Sequence, residues 1–374
     1  MQEKKSKVEQ AFFALLRAGL WEQPVKLTSL APLDYDALFR LAKEQSVIGL
    51  IAAGFEHVSD MEPGEDDVVP FMHKVLHQES RNEAMDAFIV KIVAQLKDER
   101  IRAVLVKGQG IAQCYVRPRW RACGDIDLFL DETNYEKAKA LLSPMASSID
   151  SEGAYSKHLG MTIDSWTVEL HGSFRCGLSS KIDKVMDEIR DDVFGKGKVR
   201  TWQNGTTPVL LPGKDEDAVY VFVHILNHFY KGGIGLRQIC DWCRLLWTYR
   251  STLDLALLEE RLRRAGLISE WKAFGSFAVE WLGMDKEAMP FYSPSQKWVR
   301  KAGRIKDFIM MSGNFGHNRD NSYLQKYPYL IRKCFSFGRR LGDLARHARI
   351  FPLDSFRFMP RIIINGVRAA ANGE

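Results

Sequence analysis

The residues best suited to chemistry stand together at Gly124-Asp125-Ile126-Asp127-Leu128. On a strand, side chains two apart share a face, so Asp125 and Asp127 project side by side while Ile126 and Leu128 point to a core. Two carboxylates held that close repel, and one is driven toward neutrality unless a cation lies between them. Hard oxygen donors of this kind suit Mg²⁺, which takes one or two carboxylates and completes its shell with water and substrate phosphates. Val168-Glu169-Leu170-His171 repeats the pattern, with Glu169 on one face between apolar neighbours. If that strand lies beside the Asp strand, three carboxylates meet and can hold two ions that activate a hydroxyl and stabilise a leaving pyrophosphate. Upstream, Lys107-Gly108-Gln109-Gly110 closes the apolar run Ala103 to Val106. Such a turn offers backbone N–H groups and a cation to phosphates.

These segments need elements to position them. Residues 1–100 read as a helical region, with Leu38, Phe39, Leu41 and Ala42, then Ala87, Ile89, Val90, Ile92, Val93 and Leu96, at helical spacing. The acidic stretch His57 to Pro70, broken by Pro63 and Gly64, reads as a loop. A mixed block follows over 101–213. A strand ends at Val106, a short helix spans Ile111 to Val116, and a basic loop leads into the strand Asp125 to Leu130. Thr133 with Glu136 suggests a capping box for the next helix. His158 to Ile163 and Trp166 to His171 flank Asp164-Ser165 as a β-hairpin. Val199 to Trp202 and Val209 to Leu211 form a second strand pair. From residue 214 to 374 the signal is helical again, at 215–229, 236–249, 255–265 and 269–282 and beyond. The expected class is therefore α+β, in three segments: 1–100, 101–213 and 214–374.

Taken in order, Lys107-Gly108, then Arg121-x-x-Gly124-Asp125-Ile126-Asp127-Leu128, then Val168-Glu169-Leu170-His171 resemble the nucleotidyltransferase superfamily that includes DNA polymerase beta. More narrowly they resemble the bacterial uncharacterised nucleotidyltransferase family. Gly313-Asn314-Phe315-Gly316-His317-Asn318 is similar to a segment of some of its members. The resemblance implies a polymerase beta-like mixed sheet with flanking helices. It implies Asp125, Asp127 and Glu169 as catalytic acids and ligands of two Mg²⁺ ions, with Mn²⁺ as the substitute. Lys107, Gly108, Arg121 and Gly124 would hold the nucleotide. His171, Arg237 and Asp241 are supporting or acceptor-side candidates, the last two carried toward the site by Lys231-Gly232-Gly233-Ile234-Gly235-Leu236-Arg237. The turn departs from the superfamily's usual Gly-Ser, and the third acid is Glu rather than the commoner Asp.

The activity implied is transfer of an NMP group from an NTP to a hydroxyl of a small molecule, sugar or protein, with nucleic acid ranked lower as acceptor. The contrasting reading is a nucleotide-binding regulatory or scaffold protein without turnover, motivated by the altered turn. At 374 residues, 46% hydrophobic and 27% charged, the chain has ordinary globular composition. No apolar run is long enough for a membrane span, and the basic N-terminus reads as an amphipathic helix rather than a signal peptide. Six scattered cysteines are too few for a disulfide scaffold, which makes a reducing cytoplasm the expected location. The net charge of +6 is uneven: Lys297 to Arg349 holds thirteen Lys/Arg against three acids. Interleaved aromatics there, Trp298, Tyr323, Tyr327, Tyr329, Phe335 and Phe337, suit either a polyanion face or an ordinary helical core with solvated cations. His224, His228, Cys240 and Cys243 have zinc-like spacing, but the cysteines sit in an apolar stripe that favours a core role. Gln113 at the third glycine position argues against a dinucleotide fingerprint, and no Walker A sequence is present.

Overall fold

The computed structural model describes residues 2–152, 157–313 and 342–371. The apolar spacing near the N-terminus produces α1 (Gln2–Trp21), α2 (Tyr35–Glu44), α3 (Ile48–Phe55) and the long α4 (Glu65–Asp98). α1 and α3 pack backbone to backbone: a Cβ on Gly54 would stand 2.2 Å from the Leu15 carbonyl oxygen, so only glycine permits the contact. α4 begins inside the stretch expected to be a loop, and it contains Pro70. Glu65, Asp66 and Asp67 fill its first turn, where acids complement the partial positive charge of a helix N-terminus. The apolar stripe beyond Pro70, from Phe71 to Leu96, is buried and outweighs one missing backbone hydrogen bond.

The mixed block supplies β1 (Ala103–Val106), the one-turn α5 (Gly108–Ala112), β2 (Asp125–Leu130), α6 (Glu132–Leu142), β3 (Ser148–Ile149), β4 (His158–Ile163) and β5 (Trp166–His171). α6 is capped not by Thr133 but by Asp131, whose carboxylate accepts from the Asn134 N–H. Asp131 takes the role because β2 delivers the chain to it in extended conformation. The five strands form one mixed sheet in the order β1-β2-β5-β4-β3. β2 is antiparallel to β1 and parallel to β5, and β5 is antiparallel to β4. Asp164 and Ser165, both at positive φ (48° and 69°), make the two-residue turn of the β4–β5 hairpin. That turn suits the right-handed twist of the strands.

Then follow α7 (Ser180–Phe194) and a separate two-stranded sheet of β6 (Val199–Asn204) and β7 (Thr207–Pro212). Next come α8 (Lys214–Lys231), α9 (Leu236–Tyr249), α10 (Leu255–Ala265), α11 (Ile268–Glu280) and α12 (Gln296–Ser312), with a last helix at Pro352–Ala371. The segment Asn314–Asn318 and the aromatics Tyr323, Tyr327, Tyr329, Phe335 and Phe337 lie outside the described residues. None of the helices in the described residues is long and apolar enough to cross a membrane.

Two apolar cores form, and they do not follow the three sequence segments. The smaller lies behind the five-stranded sheet, where Ile126, Leu128, Val168 and Leu170 meet Phe88, Ile89 and Ile92 of α4 and Tyr135 and Ala138 of α6. The larger joins α1 to α3 with α8 to α12, so that Phe12 and Leu16 share a cluster with Phe222, Trp242, Trp271 and Ile305. The sheet therefore has one apolar face against the small core, while its other face looks toward α8.

Candidate active site

The polar face of the sheet is built by strand alternation. β2 places Asp125, Asp127 and Phe129 on it. In the parallel register Asp127 stands opposite Glu169, and Phe129 opposite His171. In the antiparallel register of the hairpin, His171 stands opposite His158. The three carboxylates thus share one face with two imidazoles. They floor a cavity of about 450 Å³, which is walled on the far side by Tyr220, His224 and Asn227 of α8 and Arg237 of α9.

Of the residues expected from sequence, Lys107, Gly108, Arg121, Asp125, Asp127, Glu169, His171, Arg237 and Asp241 all line this cavity. Gly124 is exposed and does not line it, and a Cβ there would meet nothing within 4 Å. Lys107 adopts φ +54° and ψ −143°, and Gly108 follows at φ +38°. This is a sparsely populated backbone for a non-glycine residue. Rather than projecting outward for a phosphate, the Lys107 ammonium lies 2.6 Å from Asp127 Oδ1. His171 Nε2 reaches the same oxygen at 2.7 Å.

Electrostatics follow from this packing. Burial opposes the charge on Lys107, but Asp127, Tyr220 and Asp125 together outweigh it and hold the ammonium above its ordinary value. Burial and then the neighbouring Asp127 push the Asp125 carboxyl up, with Lys107 only partly offsetting them. Glu169 is buried too, yet hydrogen bonds with His158 and His171 bring it well below the usual carboxylate range. His171 is raised: burial lowers it, and Asp127 and Glu169 more than reverse the effect. Asp125 is thus the carboxylate with least compensation, which is the state expected of a cation ligand without its cation. The all-oxygen donor set of Asp125, Asp127 and Glu169 fits a hard divalent ion.

Two expected roles are altered by geometry. Arg121 is buried and forks onto Asp241, Nε to Oδ1 at 2.8 Å and Nη2 to Oδ2 at 2.7 Å, while Nη1 donates to the Ala122 carbonyl. Tyr115 also donates to Asp241 Oδ1. All three guanidinium nitrogens are therefore committed, and the pair ties the loop before β2 to α9. The loop is fixed from α4 as well, because Asn82 donates to the carbonyls of Arg119 and Arg121. Arg237, by contrast, forms no ion pair among the described residues. Its Nη1 donates to the Ala122 carbonyl at 2.7 Å and its buried Nε has no partner. Burial, then the nearby Arg121, lowers its pKa.

The zinc-like quartet is divided. His224 and His228 line the cavity with ring centroids 4.4 Å apart, whereas Cys240 and Cys243 are free and wholly buried in the large core. Burial keeps both histidines neutral, His228 lowered to about 4 and His224 well below its ordinary value. The residue missed in the sequence is His158. The two-residue turn at Asp164-Ser165 pairs Ile163 with Trp166 and hence His158 with His171, so the signal was present in the hairpin spacing.

The mixed sheet with its acidic face and flanking helices is the α+β nucleotidyltransferase fold. The family model of an uncharacterised nucleotidyltransferase matches residues 31–283, and the chain belongs to that family. No curated protein and no solved structure matches it. Membership carries the general activity, nucleotidyl transfer from an NTP donor.

Proposed function

We propose that the protein is an Mg²⁺-dependent transferase that moves an NMP group from an NTP to a hydroxyl of a small-molecule, sugar or protein acceptor. The observation that carries this reading is the register pair Asp127–Glu169, with Asp125 two residues away on the same face. It gives three carboxylates at the floor of one cavity. Asp125, Asp127 and Glu169 would hold the ions, which supply charge neutralisation for the triphosphate and acidify the acceptor hydroxyl. Glu169 accepts the hydroxyl's hydrogen bond and orients it, and the proton passes to solvent. Arg237, which lines the cavity and has no ion partner among the described residues, binds the phosphates through its guanidinium. Lys107 orients Asp127, and it remains as a local cation beside the leaving pyrophosphate. Arg121 and Asp241 position the β2 loop instead of touching substrate. Tyr220, with Phe129 stacked on Phe174 at 3.8 Å, offers an aromatic surface for the base.

The test is pyrophosphate release from each NTP across a panel of hydroxyl acceptors, with Mg²⁺ and with EDTA. Metal-dependent release that Asp125→Asn eliminates supports the reading. Nucleotide binding without release under any acceptor would favour a scaffold role, and transfer retained by Asp125→Asn would overturn the assignment of the acids.

A further inference from the structure

At the outer end of the acidic floor, the donor set changes character. His158 opens β4 and His171 closes β5, directly opposite one another, with ring centroids 4.7 Å apart. His158 Nε2 lies 3.0 Å from Glu169 Oε2, and His171 Nε2 lies 3.4 Å from the same oxygen and 2.7 Å from Asp127 Oδ1. One donor atom from each of the three residues lies within 4.8 Å of the others. Donors about 2.0–2.2 Å from a common ion stand about 3 Å apart when their bonds to it are near perpendicular or tetrahedral. The two Glu169 spacings, 3.0 Å and 3.4 Å, fall in the range from perpendicular to tetrahedral bonds, and the third pair lies within 4.8 Å, so closing on an ion needs the two imidazoles to draw together. The hairpin alone provides all three groups, and its two-residue turn fixes their register. His158 is the most accessible of them, with 39% of its side chain exposed at the cavity rim, which leaves an entry path.

Two imidazoles and one carboxylate on one side of an ion, with the remaining positions open, form a donor set for a first-row transition metal. Mg²⁺ prefers oxygen alone. We propose that His158, Glu169 and His171 bind one divalent transition-metal ion of the Mn²⁺ to Zn²⁺ series, before and independently of the nucleotide. The site shares Glu169 with the all-oxygen set of Asp125, Asp127 and Glu169 and differs from it in bringing two imidazoles. Binding stands on the hairpin geometry. Use of the ion in catalysis rests on the transferase reading above, where it would sit on the acceptor side.

The experiment titrates chelator-treated, full-length protein with Co²⁺ and with Mg²⁺ in the absence of nucleotide. Calorimetry and the visible absorption of Co²⁺ report binding, and histidine ring proton signals report ligation. One Co²⁺ per chain, bound at least 100-fold more tightly than Mg²⁺ and shifting two histidine rings, is the expected result. His158→Ala should weaken Co²⁺ at least tenfold, and His77→Ala, on the exposed face of α4, should leave it unchanged. Equal affinity for Co²⁺ and Mg²⁺, or wild-type Co²⁺ binding by His158→Ala, would reduce the cluster to an ordinary hydrogen-bonded pair of histidines and overturn the inference. Should His158→Ala not fold, the paramagnetic shift of the His158 ring in the wild type decides the matter. Pyrophosphate release with Mg²⁺ and NTP is scored separately. Transfer without a Co²⁺ site defeats only the inference, and a Co²⁺ site without transfer defeats only the transferase reading.

Discussion

Asp127 and Glu169 face one another across parallel strands β2 and β5, and the Lys107 ammonium rests on Asp127 rather than on either of the other acids. The three carboxylates are consequently unequal. Asp127 is 2% exposed and paired, whereas burial and Asp127 raise the Asp125 pKa.

That inequality separates two variants. Asp125→Asn should abolish transfer while holding or raising Tm in metal-free protein, because a poorly compensated charge is removed. Asp127→Asn should abolish transfer and also lose about 3 kcal/mol, since it strands the Lys107 ammonium. Thermal melts beside pyrophosphate release check both. Equal loss of stability in the two would contradict the assignment of Lys107 to Asp127.

Arg237→Met should raise KM for the NTP about 10- to 100-fold, the value of one charge-assisted hydrogen bond of about 1.5–3 kcal/mol. The fold should survive, since Arg237 has no ion partner among the described residues and its charge is disfavoured by burial. Steady-state kinetics with denaturation curves decide it. An unchanged KM would remove Arg237 from the phosphate site.

Arg121 and Asp241 should behave as one structural unit. Arg121→Met alone, or Asp241→Leu alone, leaves a buried charge unpaired and should cost about 3–5 kcal/mol, while the double variant recovers much of that loss. A urea double-mutant cycle measures the coupling. Additive losses would mean that each residue has a separate partner, such as a substrate.

A pH-sensitive element lies away from the cavity. Glu270 of α11 is fully buried, and burial followed by Asp354 pushes its carboxyl well above the ordinary value. The folded state therefore holds this proton more tightly than the unfolded chain. Its contribution is complete below the unfolded carboxyl pKa of about 4.3 and is lost as pH rises through the raised value. Glu270→Gln should stabilise the protein increasingly from pH 5 to pH 9. A Tm difference independent of pH would disprove the linkage.

The sequence carried the elements whose information is local. The Asp strand, the β4–β5 hairpin with its Asp164-Ser165 turn, and helices α9 and α10 are set by near-neighbour periodicity and turn chemistry, and they were legible. The start of α4 was misread because Pro70 and Gly64 outweighed the buried stripe beyond them in a local reading. The approach of Glu169 to Asp127 depends on parallel pairing of strands separated by α6, β3 and β4. No local pattern fixes such pairing. The Arg121–Asp241 bond spans 120 positions and was equally invisible, so two residues that hold each other were assigned separate duties toward ligands.

The two cores meet at the cavity, and each supplies a different side of it. The carboxylates stand on a sheet backed by the small core, while α8 and α9 belong to the large core that also packs the N-terminal helices. No residue before Lys107 lines the cavity among those described, yet α1 to α3 buttress the wall opposite the acids. The acids and the helices that face them therefore stand on separate cores. On the transferase reading proposed above, substitutions that reshape the wall would change which acceptor fits while leaving the acid-bearing strands intact. Under that reading, one transfer reaction would be redirected to new molecules by changes in helices that carry none of the acids.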